Sequence, residues 1–246
     1  MANGDDLDDQ LDYCIESDIP AAAQVSDTPD LEPVNPEIRP SRKKRPSQKP
    51  KNAHKQLRME ANVQGKKLLG TMQPALIADY ICSHLLASNK DLSALEIQDI
   101  AVPQEAIYDT SAFTTSRDLD NMPKFIRKFD IVEKEKLTVV LCISAIRACD
   151  VWRRLRCLNT QIAKLIAKNK PKFDREELDK KPGVAVSTPG KIERLLAENV
   201  LSQSAIHTVL VEGSFIDVKA NSVWDLKETI RLLSRLSRAG TKIYVY

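Results

Sequence analysis

Residues 137–143 read LTVVLCI, an almost continuous run of apolar and β-branched side chains. Such a run is typical of a strand that is buried on both faces, as in the parallel sheet of an α/β protein. Four short runs of similar character follow it along the chain, at residues 161–167, 183–187, 207–211 and 242–246. Helical periodicity at 191–199 and 222–238 separates the later runs, and this alternation predicts a parallel α/β sheet with right-handed crossovers.

The first 58 residues differ from the rest of the chain in composition. They hold seven of the 13 prolines and few large apolar side chains. A segment of this kind buries too little surface to offset its chain entropy. We therefore predict a disordered tail over residues 1–58, a helical extension over 59–130 and the α/β domain over 131–246.

Charge is strongly segregated within that tail. Residues 1–38 contain 11 acids and no Lys or Arg, whereas residues 39–58 contain nine bases and no acid. Adjacent acidic and basic blocks are typical of nuclear and nucleic-acid-associated proteins. The basic block is either a solvated charge run or a nuclear localisation signal or RNA-contacting arm. The predicted signal consists of Arg42, Lys43, Lys44 and Arg45.

Cysteine usage and hydropathy indicate a soluble chain in a reducing compartment. The five cysteines form no CxxC pair and have no spacing typical of a metal site. No segment approaches 18 consecutive apolar residues, and the first 30 residues lack the apolar core of a signal peptide. We expect a nuclear or cytosolic protein with no membrane contact and no bound metal.

The motifs of nucleotide-dependent and hydrolytic enzymes are missing from the sequence. A P-loop needs GxxxxGK[ST], because its glycines let backbone N–H groups surround the phosphates. The nearest match, GKKLLGT at residues 65–71, lacks the Lys before Thr71 and lies in a helical stretch. GxGxxG, HExxH and GxSxG are absent as well. We therefore expect no catalytic residue, no cofactor and no small-molecule substrate.

The segment STPGK at residues 187–191 has the features of an anion-binding helix start. Ser187 or Thr188 can cap the helix, and Gly190 leaves the approach free of a side chain. The free N–H groups of the first turn then face a phosphate at the positive end of the helix dipole. Lys191 is predicted to add a mobile positive charge. The alternative is a capped helix that binds nothing.

Two more basic loops follow predicted strands. Ser144 and Arg147 come after the first strand, and Lys168 and Lys170 come after the second. Because the carboxyl ends of parallel strands share one edge of a sheet, these loops and the STPGK segment should lie together. We expect a track for a nucleic-acid phosphate backbone, with salt-dependent and largely sequence-independent binding. Aromatic residues are absent from these loops, so base stacking is not expected.

In order and spacing, STPGK and the later segment VLVEGSF at residues 209–215 resemble motif Ib (TPGR) and motif II (DEAD) of DEAD-box RNA helicases. The resemblance implies a single RecA-like domain, related to the P-loop NTPases, that lacks the P-loop and faces RNA with the basic loops. It also implies that motif II is degenerate and cannot support ATP hydrolysis. The degenerate positions are Glu212, Gly213, Ser214 and Phe215.

Further segments are DDLDD at residues 5–9, the stretch 103–113, LDNMP at 119–123 and KPGVAVSTPGK at 181–191. This series is similar to fungal members of the family of U3-containing 90S pre-ribosomal complex subunits, over nearly the whole chain. The resemblance implies a non-catalytic assembly factor for the small ribosomal subunit, in the nucleus and nucleolus. The implied partners are pre-ribosomal RNA and proteins of the small-subunit processome.

Two other functions are compatible with the sequence. One is a weak nucleotide-binding domain or a partner-dependent ATPase of the helicase type. The other is a protein-binding adaptor whose former RNA surface is no longer used. Stabilisation by ATP would favour the first, and RNA affinity that is independent of the predicted loops would favour the second.

Overall fold

Five strands form one parallel sheet in the computed structural model, which describes residues 49–246, with side chains from Gln56 onward. The strands are β1 (Leu137–Leu141), β2 (Ile162–Leu165), β3 (Val184–Ser187), β4 (Ile206–Val211) and β5 (Lys242–Val245). Their order in the sheet is β2-β3-β1-β4-β5, and every neighbouring pair is parallel. The predicted parallel α/β sheet is confirmed, and the narrower RecA-like assignment stays a prediction.

Eight α-helices accompany the sheet in the described part of the chain. They are α1 (Lys49–Leu68), α2 (Pro74–Ser88), α3 (Ala94–Ile100), α4 (Met122–Lys128), α5 (Ala145–Leu155), α6 (Pro171–Asp179), α7 (Pro189–Ala197) and α8 (Lys227–Ser237). None of these described helices is both long enough and apolar enough to cross a membrane.

Helices cover both faces of the sheet because its central strands are apolar on both faces. All five residues of β1 are buried. Val139 and Leu141 pack in the core that contains residues of α2, α7 and α8, whereas Val140 packs in a second core with α4 and α5. The outer strand β2 buries only alternate residues. This is the burial expected of a sheet between two helical layers.

The segment between α3 and α4 covers the outer edge of β5. The Tyr108 N–H donates to Ile243 O at 2.8 Å. Thr110 and Arg117 both donate to Val245 O, at 3.2 and 2.6 Å. Since an unpaired strand edge can recruit another chain, this segment protects the sheet on that side.

Part of the predicted disordered tail is helical, and one helix runs across the predicted boundary at residue 58. Residues 49–58 form the first half of α1. Their polarity favoured disorder, but Pro50 fits the first turn of a helix and no other proline follows until Pro74. Residues 1–48, with the predicted localisation signal at 42–45, lie outside the described residues.

The predicted helical extension belongs to the same compact unit as the sheet. Lys66 of α1 pairs with Asp225, just before α8, at 2.8 Å. Ile77 and Ile81 of α2 are fully buried in the core that also contains residues of α8. The extension and the sheet therefore share one core.

Two helical predictions need correction. The predicted helix at 222–238 is interrupted, because a short 3₁₀ turn at Val223–Asp225 precedes α8 and Leu226 between them is extended. The sequence pattern also misses α6. Only two of its nine residues, Phe173 and Leu178, are large and apolar, which is too few for a clear helical period.

Candidate nucleic-acid interface

The predicted loops share one edge of the sheet, which we call the carboxyl edge. The carboxyl ends of β2, β3, β1 and β4 lie side by side in that order. The predicted site residues that follow these strands are Lys168 and Lys170 after β2, Thr188, Gly190 and Lys191 after β3, Ser144 and Arg147 after β1, and Glu212, Gly213, Ser214 and Phe215 after β4. The topology thus brings the basic loops to the same edge as residues 212–215, the predicted degenerate motif II.

Arg147 is held between a carboxylate and an aromatic ring. It lies in the first turn of α5, where Ser144 caps the helix by accepting a hydrogen bond from the Arg147 N–H at 3.2 Å. Its Nε donates to Oε1 of Glu212 at 2.8 Å, and its Nη2 lies 2.6 Å from the same oxygen. The guanidinium carbon is 4.0 Å from the centre of the Phe215 ring. The guanidinium of Arg147 is therefore engaged by Glu212 and Phe215 of the same chain.

Glu212 is almost completely removed from water. Its side chain is 1% exposed, compared with 15% for Arg147. Oε1 receives both guanidinium contacts, whereas Oε2 is buried without a hydrogen-bond partner among the described residues. Burial raises the pKa of Glu212, and the guanidinium of Arg147 opposes that shift. Across the described residues, no group of three or more His, Cys, Asp or Glu side chains is arranged to hold a metal.

Gly213 and Ser214 are fixed by packing and by backbone hydrogen bonds. Both N–H groups donate to Tyr246 O, at 2.8 and 2.9 Å. A Cβ at Gly213 would lie 2.6 Å from Nε1 of Trp224, a side chain that is 1% exposed and cannot easily move. A side chain at Gly213 would therefore require Trp224 to shift. The segment from Glu212 to Phe215 is thus held by packing and backbone hydrogen bonds.

Lys191 does not have the exposed position expected of a mobile charge. It is 3% exposed, and its ammonium pairs with Oδ2 of the fully buried Asp174 at 2.5 Å. Asn169 Nδ2 donates to Oδ1 of Asp174 at 3.1 Å and to Lys164 O at 2.8 Å. The prediction of a mobile charge is wrong, because a carboxylate from α6 engages the ammonium inside the protein.

The start of α7 has no side-chain cap. Thr188 occupies the N-cap position, but its side chain makes no capping hydrogen bond. Ser187 does not replace it, because its hydroxyl donates to Leu165 O at 2.7 Å. Gly190 is exposed, and a Cβ there would make only an ordinary contact, 3.8 Å from Cγ of Glu228. Pro189 has no N–H, and the Lys191 N–H donates to Thr188 O at 3.1 Å. Of the free N–H groups that the sequence predicts for an anion, the first turn of α7 therefore keeps that of Gly190.

Lys168 and Lys170 are the exposed cations of the predicted set. Lys170 is the N-cap residue of α6, with extended backbone. Within the described residues, neither lysine forms an ion pair or a side-chain hydrogen bond. These two side chains are therefore available to a phosphate, whereas Arg147 and Lys191 are engaged internally.

Sequence reasoning missed Asp174, Asn169 and Phe173. The pairing of Asp174 with Lys191 spans 17 residues and has no local signature. Phe173 could have been found, since it ends the basic stretch KNKPKF at 168–173. It is 46% exposed in the first turn of α6, directly after a loop in which no aromatic residue was expected.

Comparison with known proteins identifies the family. The family model described as "CMS1: U3-containing 90S pre-ribosomal complex subunit" matches residues 34–242. The chain is similar to Protein CMS1 of Chaetomium thermophilum, with 31% identity over 82% of this chain and 86% of that protein. It is also similar to Protein cms1 of Schizosaccharomyces pombe, with 26% identity over 99% of this chain and 98% of that protein. The chain therefore belongs to the family of U3-containing 90S pre-ribosomal complex subunits.

Proposed function

We propose that this protein is a non-catalytic assembly factor of the early 90S pre-ribosome, and that its carboxyl edge binds the RNA backbone. Its family is one of 90S pre-ribosomal complex subunits, so its general role is in ribosome biogenesis. The observation that carries the proposal is the exposure of Lys168 and Lys170 at the same edge of the sheet as the uncapped start of α7. The proposed partners are pre-ribosomal RNA and proteins of the small-subunit processome, in the nucleolus.

Phosphate groups suit the chemistry of the carboxyl edge. Lysine ammonium groups contact phosphates as point charges, and the first-turn N–H groups of a helix attract anions. We include Ser144, Thr188 and Gly190 in the proposed surface because they lie at the starts of α5 and α7. None of these groups distinguishes one base from another. Binding should therefore be salt-dependent and largely independent of sequence.

Arg147 and Lys191 have a different part in the proposed surface. Each forms a largely buried ion pair that ties one helix start to a neighbouring element of the carboxyl edge. We propose that both residues position the loops that meet RNA. Their replacement would disturb the fold as well as binding, so neither is suited to a direct test of RNA contact.

We further propose that the protein does not hydrolyse ATP. The sequence lacks the glycine pattern of a P-loop. Glu212, the acid at the motif II position, binds Arg147 and is 1% exposed. Hydrolysis by helicase-type domains needs acids that hold Mg²⁺ and orient water beside the nucleotide. The burial of Glu212 supports a structural role for this acid.

The RNA-binding proposal is tested by the double variant Lys168→Ala/Lys170→Ala of the full chain. Each lost phosphate contact removes about 0.7 from the slope of log affinity against log salt for a single strand. We therefore expect weaker binding and a slope reduced by about 1.4, measured by fluorescence anisotropy over a salt series. The control Lys90→Ala/Lys134→Ala removes two exposed lysines outside the carboxyl edge and should leave the slope unchanged.

An unchanged slope in the Lys168→Ala/Lys170→Ala variant would contradict the proposed RNA contact and favour the protein-binding adaptor. An equal reduction in both double variants would contradict it too, because general loss of charge would then explain the effect. The basic tail is present in every variant, so its contribution cancels in the comparison.

The nucleotide-binding alternative is tested by thermal unfolding of the full chain with and without Mg²⁺ and ATP, alone and with RNA. We expect no change in Tm and no release of phosphate. A rise in Tm with ATP, or RNA-dependent hydrolysis, would overturn the non-catalytic part of the proposal and leave the RNA-binding part standing.

A further inference from the structure

We infer that Phe173, together with the lysines around it, forms a stacking site for an unpaired RNA base, so that the carboxyl edge selects single-stranded RNA. We call Phe173, Lys168, Lys170 and Lys172 the Phe173 platform. This inference rests on the proposed function and deepens it, since phosphate contacts alone do not distinguish single strands from duplexes.

The position of Phe173 is unusual for a phenylalanine. It lies in the first turn of α6 at the carboxyl edge and is 46% exposed. Within the described residues it takes part in no aromatic pair and no cation–π contact. By contrast, Phe113, Phe125 and Phe129 pack against one another in the core that includes α4. The ring of Phe173 therefore exposes part of its apolar surface and has no aromatic or cationic partner among the described residues.

The charge around this ring favours a polyanion. Lys168, Lys170 and Lys172 are exposed, and within the described residues none of them has an ion-pair partner. The nearest acid in sequence, Asp174, is fully buried and engaged by Lys191. One turn further along α6, Glu177 pairs with Lys180, and Glu176 is exposed. Glu176 is thus the one acid in residues 168–177 without an ion-pair partner among the described residues, against three such lysines. An exposed aromatic side chain that directly follows three exposed lysines in the chain suits a base flanked by phosphates.

Buried contacts fix the segment that carries the ring. Asp174 Oδ2 is paired with Lys191 of α7, and Asp174 Oδ1 accepts a hydrogen bond from Asn169. The Asn169 N–H donates to Ile166 O at 3.0 Å, and the Asp174 N–H donates to Lys170 O at 3.2 Å. Both ends of the platform are thus anchored beneath its exposed side chains. Lys191 acts as a positioning residue here, which gives its burial a role in binding.

A single exposed ring can distinguish unpaired bases from bases within a duplex. A base inside a duplex is already stacked and paired, whereas an unpaired base offers a free face to a side chain. Stacking tolerates every base, because each has a π-face. The Phe173 platform should therefore prefer single strands without preferring a sequence.

The test compares full-length protein with its Phe173→Leu variant, on a single-stranded RNA that contains 2-aminopurine and on a hairpin of matched length. We expect roughly tenfold weaker binding of the single strand, the size of one lost base–aromatic stack, and little change for the hairpin. The stacking-dependent change in 2-aminopurine fluorescence should disappear. Phe173→Tyr, which keeps the ring, should behave as the unaltered protein.

The control is Leu95→Ala, which removes another exposed apolar side chain, 76% exposed and located on α3. It should change neither affinity. Equal loss of binding to both RNAs by Phe173→Leu would overturn the stacking site, and so would unchanged affinity for the single strand. Loss of single-strand binding by Phe173→Tyr would overturn it as well, since the ring is retained there.

The outcomes separate this inference from the proposed function. If Lys168→Ala/Lys170→Ala lowers the salt slope while Phe173→Leu has no effect, the phosphate track stands and the stacking site fails. If neither variant changes RNA binding, both fail together.

Discussion

Two segments resemble helicase motifs, 188–191 after β3 and 212–215 after β4. They differ in how well they match the motif and in how tightly their glycine is packed. The first matches its motif well, and its glycine is sterically free. The second departs from the motif it resembles, and its glycine is enclosed by Trp224. Both place an ionisable side chain in a largely buried ion pair, through Lys191 and Glu212.

A motif-like sequence therefore predicts the position of a segment in the sheet more reliably than it predicts a contact between its side chains and a ligand. Residues 188–191 do begin a helix at the carboxyl edge, as their sequence predicts. Whether a side chain there meets a ligand depends on partners from other elements. For Lys191 that partner is Asp174 of α6, and for Glu212 it is Arg147 of α5.

The largest expected effect comes from breaking the more deeply buried of the two pairs. Lys191→Met leaves Asp174, which is fully buried, without its cation. Removing one partner of a buried ion pair costs about 3–5 kcal/mol, because the remaining charge is uncompensated. We expect a loss of that size in the free energy of unfolding, measured by urea denaturation.

The matched control for that prediction is Lys191→Met/Asp174→Leu, which removes both charges. Apolar replacement of a whole buried pair is often close to neutral, so the double variant should recover most of the loss. A Lys191→Met variant that loses less than about 1 kcal/mol would show that Lys191 is not held as the structure has it.

A smaller effect should distinguish the two glycines. Gly213→Ala places a Cβ 2.6 Å from the Trp224 indole, and overpacking of this kind costs about 1–3 kcal/mol. Gly190→Ala meets only Glu228 at 3.8 Å, so we expect it to be neutral or to stabilise by roughly 0.5 kcal/mol. Thermal and urea unfolding of both variants provide the measurement.

The RNA affinity of the same two variants tests whether the start of α7 binds phosphate. If a phosphate approaches the start of α7 closely, Gly190→Ala should weaken RNA binding without loss of stability. Equal destabilisation by both substitutions would contradict the packing difference between the segments.

The smallest effect concerns the pH dependence of stability. Burial raises the pKa of Glu212 above its ordinary value of 4.5. A carboxyl group whose pKa is raised on folding contributes stability below its unfolded pKa and loses that contribution as the pH rises through the folded pKa. Urea unfolding from pH 4 to pH 8 should therefore show the protein losing stability relative to Glu212→Gln as the pH rises. The opposite trend would mean that Arg147 outweighs burial.

Much of the fold and part of the site follow from local sequence signals. The run at 137–143 predicts a buried strand, and β1 is buried at all five positions. The edge that gathers Lys168, Lys170 and Ser144 follows from strand polarity alone, because parallel strands end together. The start of α1 at Lys49 was not predictable in the same way, since residues 49–55, KPKNAHK, have no apolar period.

Sequence was therefore sufficient for the parallel sheet, the carboxyl edge and the missing P-loop, because each depends on a short window of residue types. Which charged side chains are paired inside the protein could be seen only in the folded structure. Lys191 meets Asp174 across 17 residues, and Arg147 meets Glu212 across 65. Lys168, Lys170 and Phe173 stay exposed beside them. The physical reason is that burial and pairing arise when distant elements pack, and no local pattern of residues specifies which charge will be enclosed.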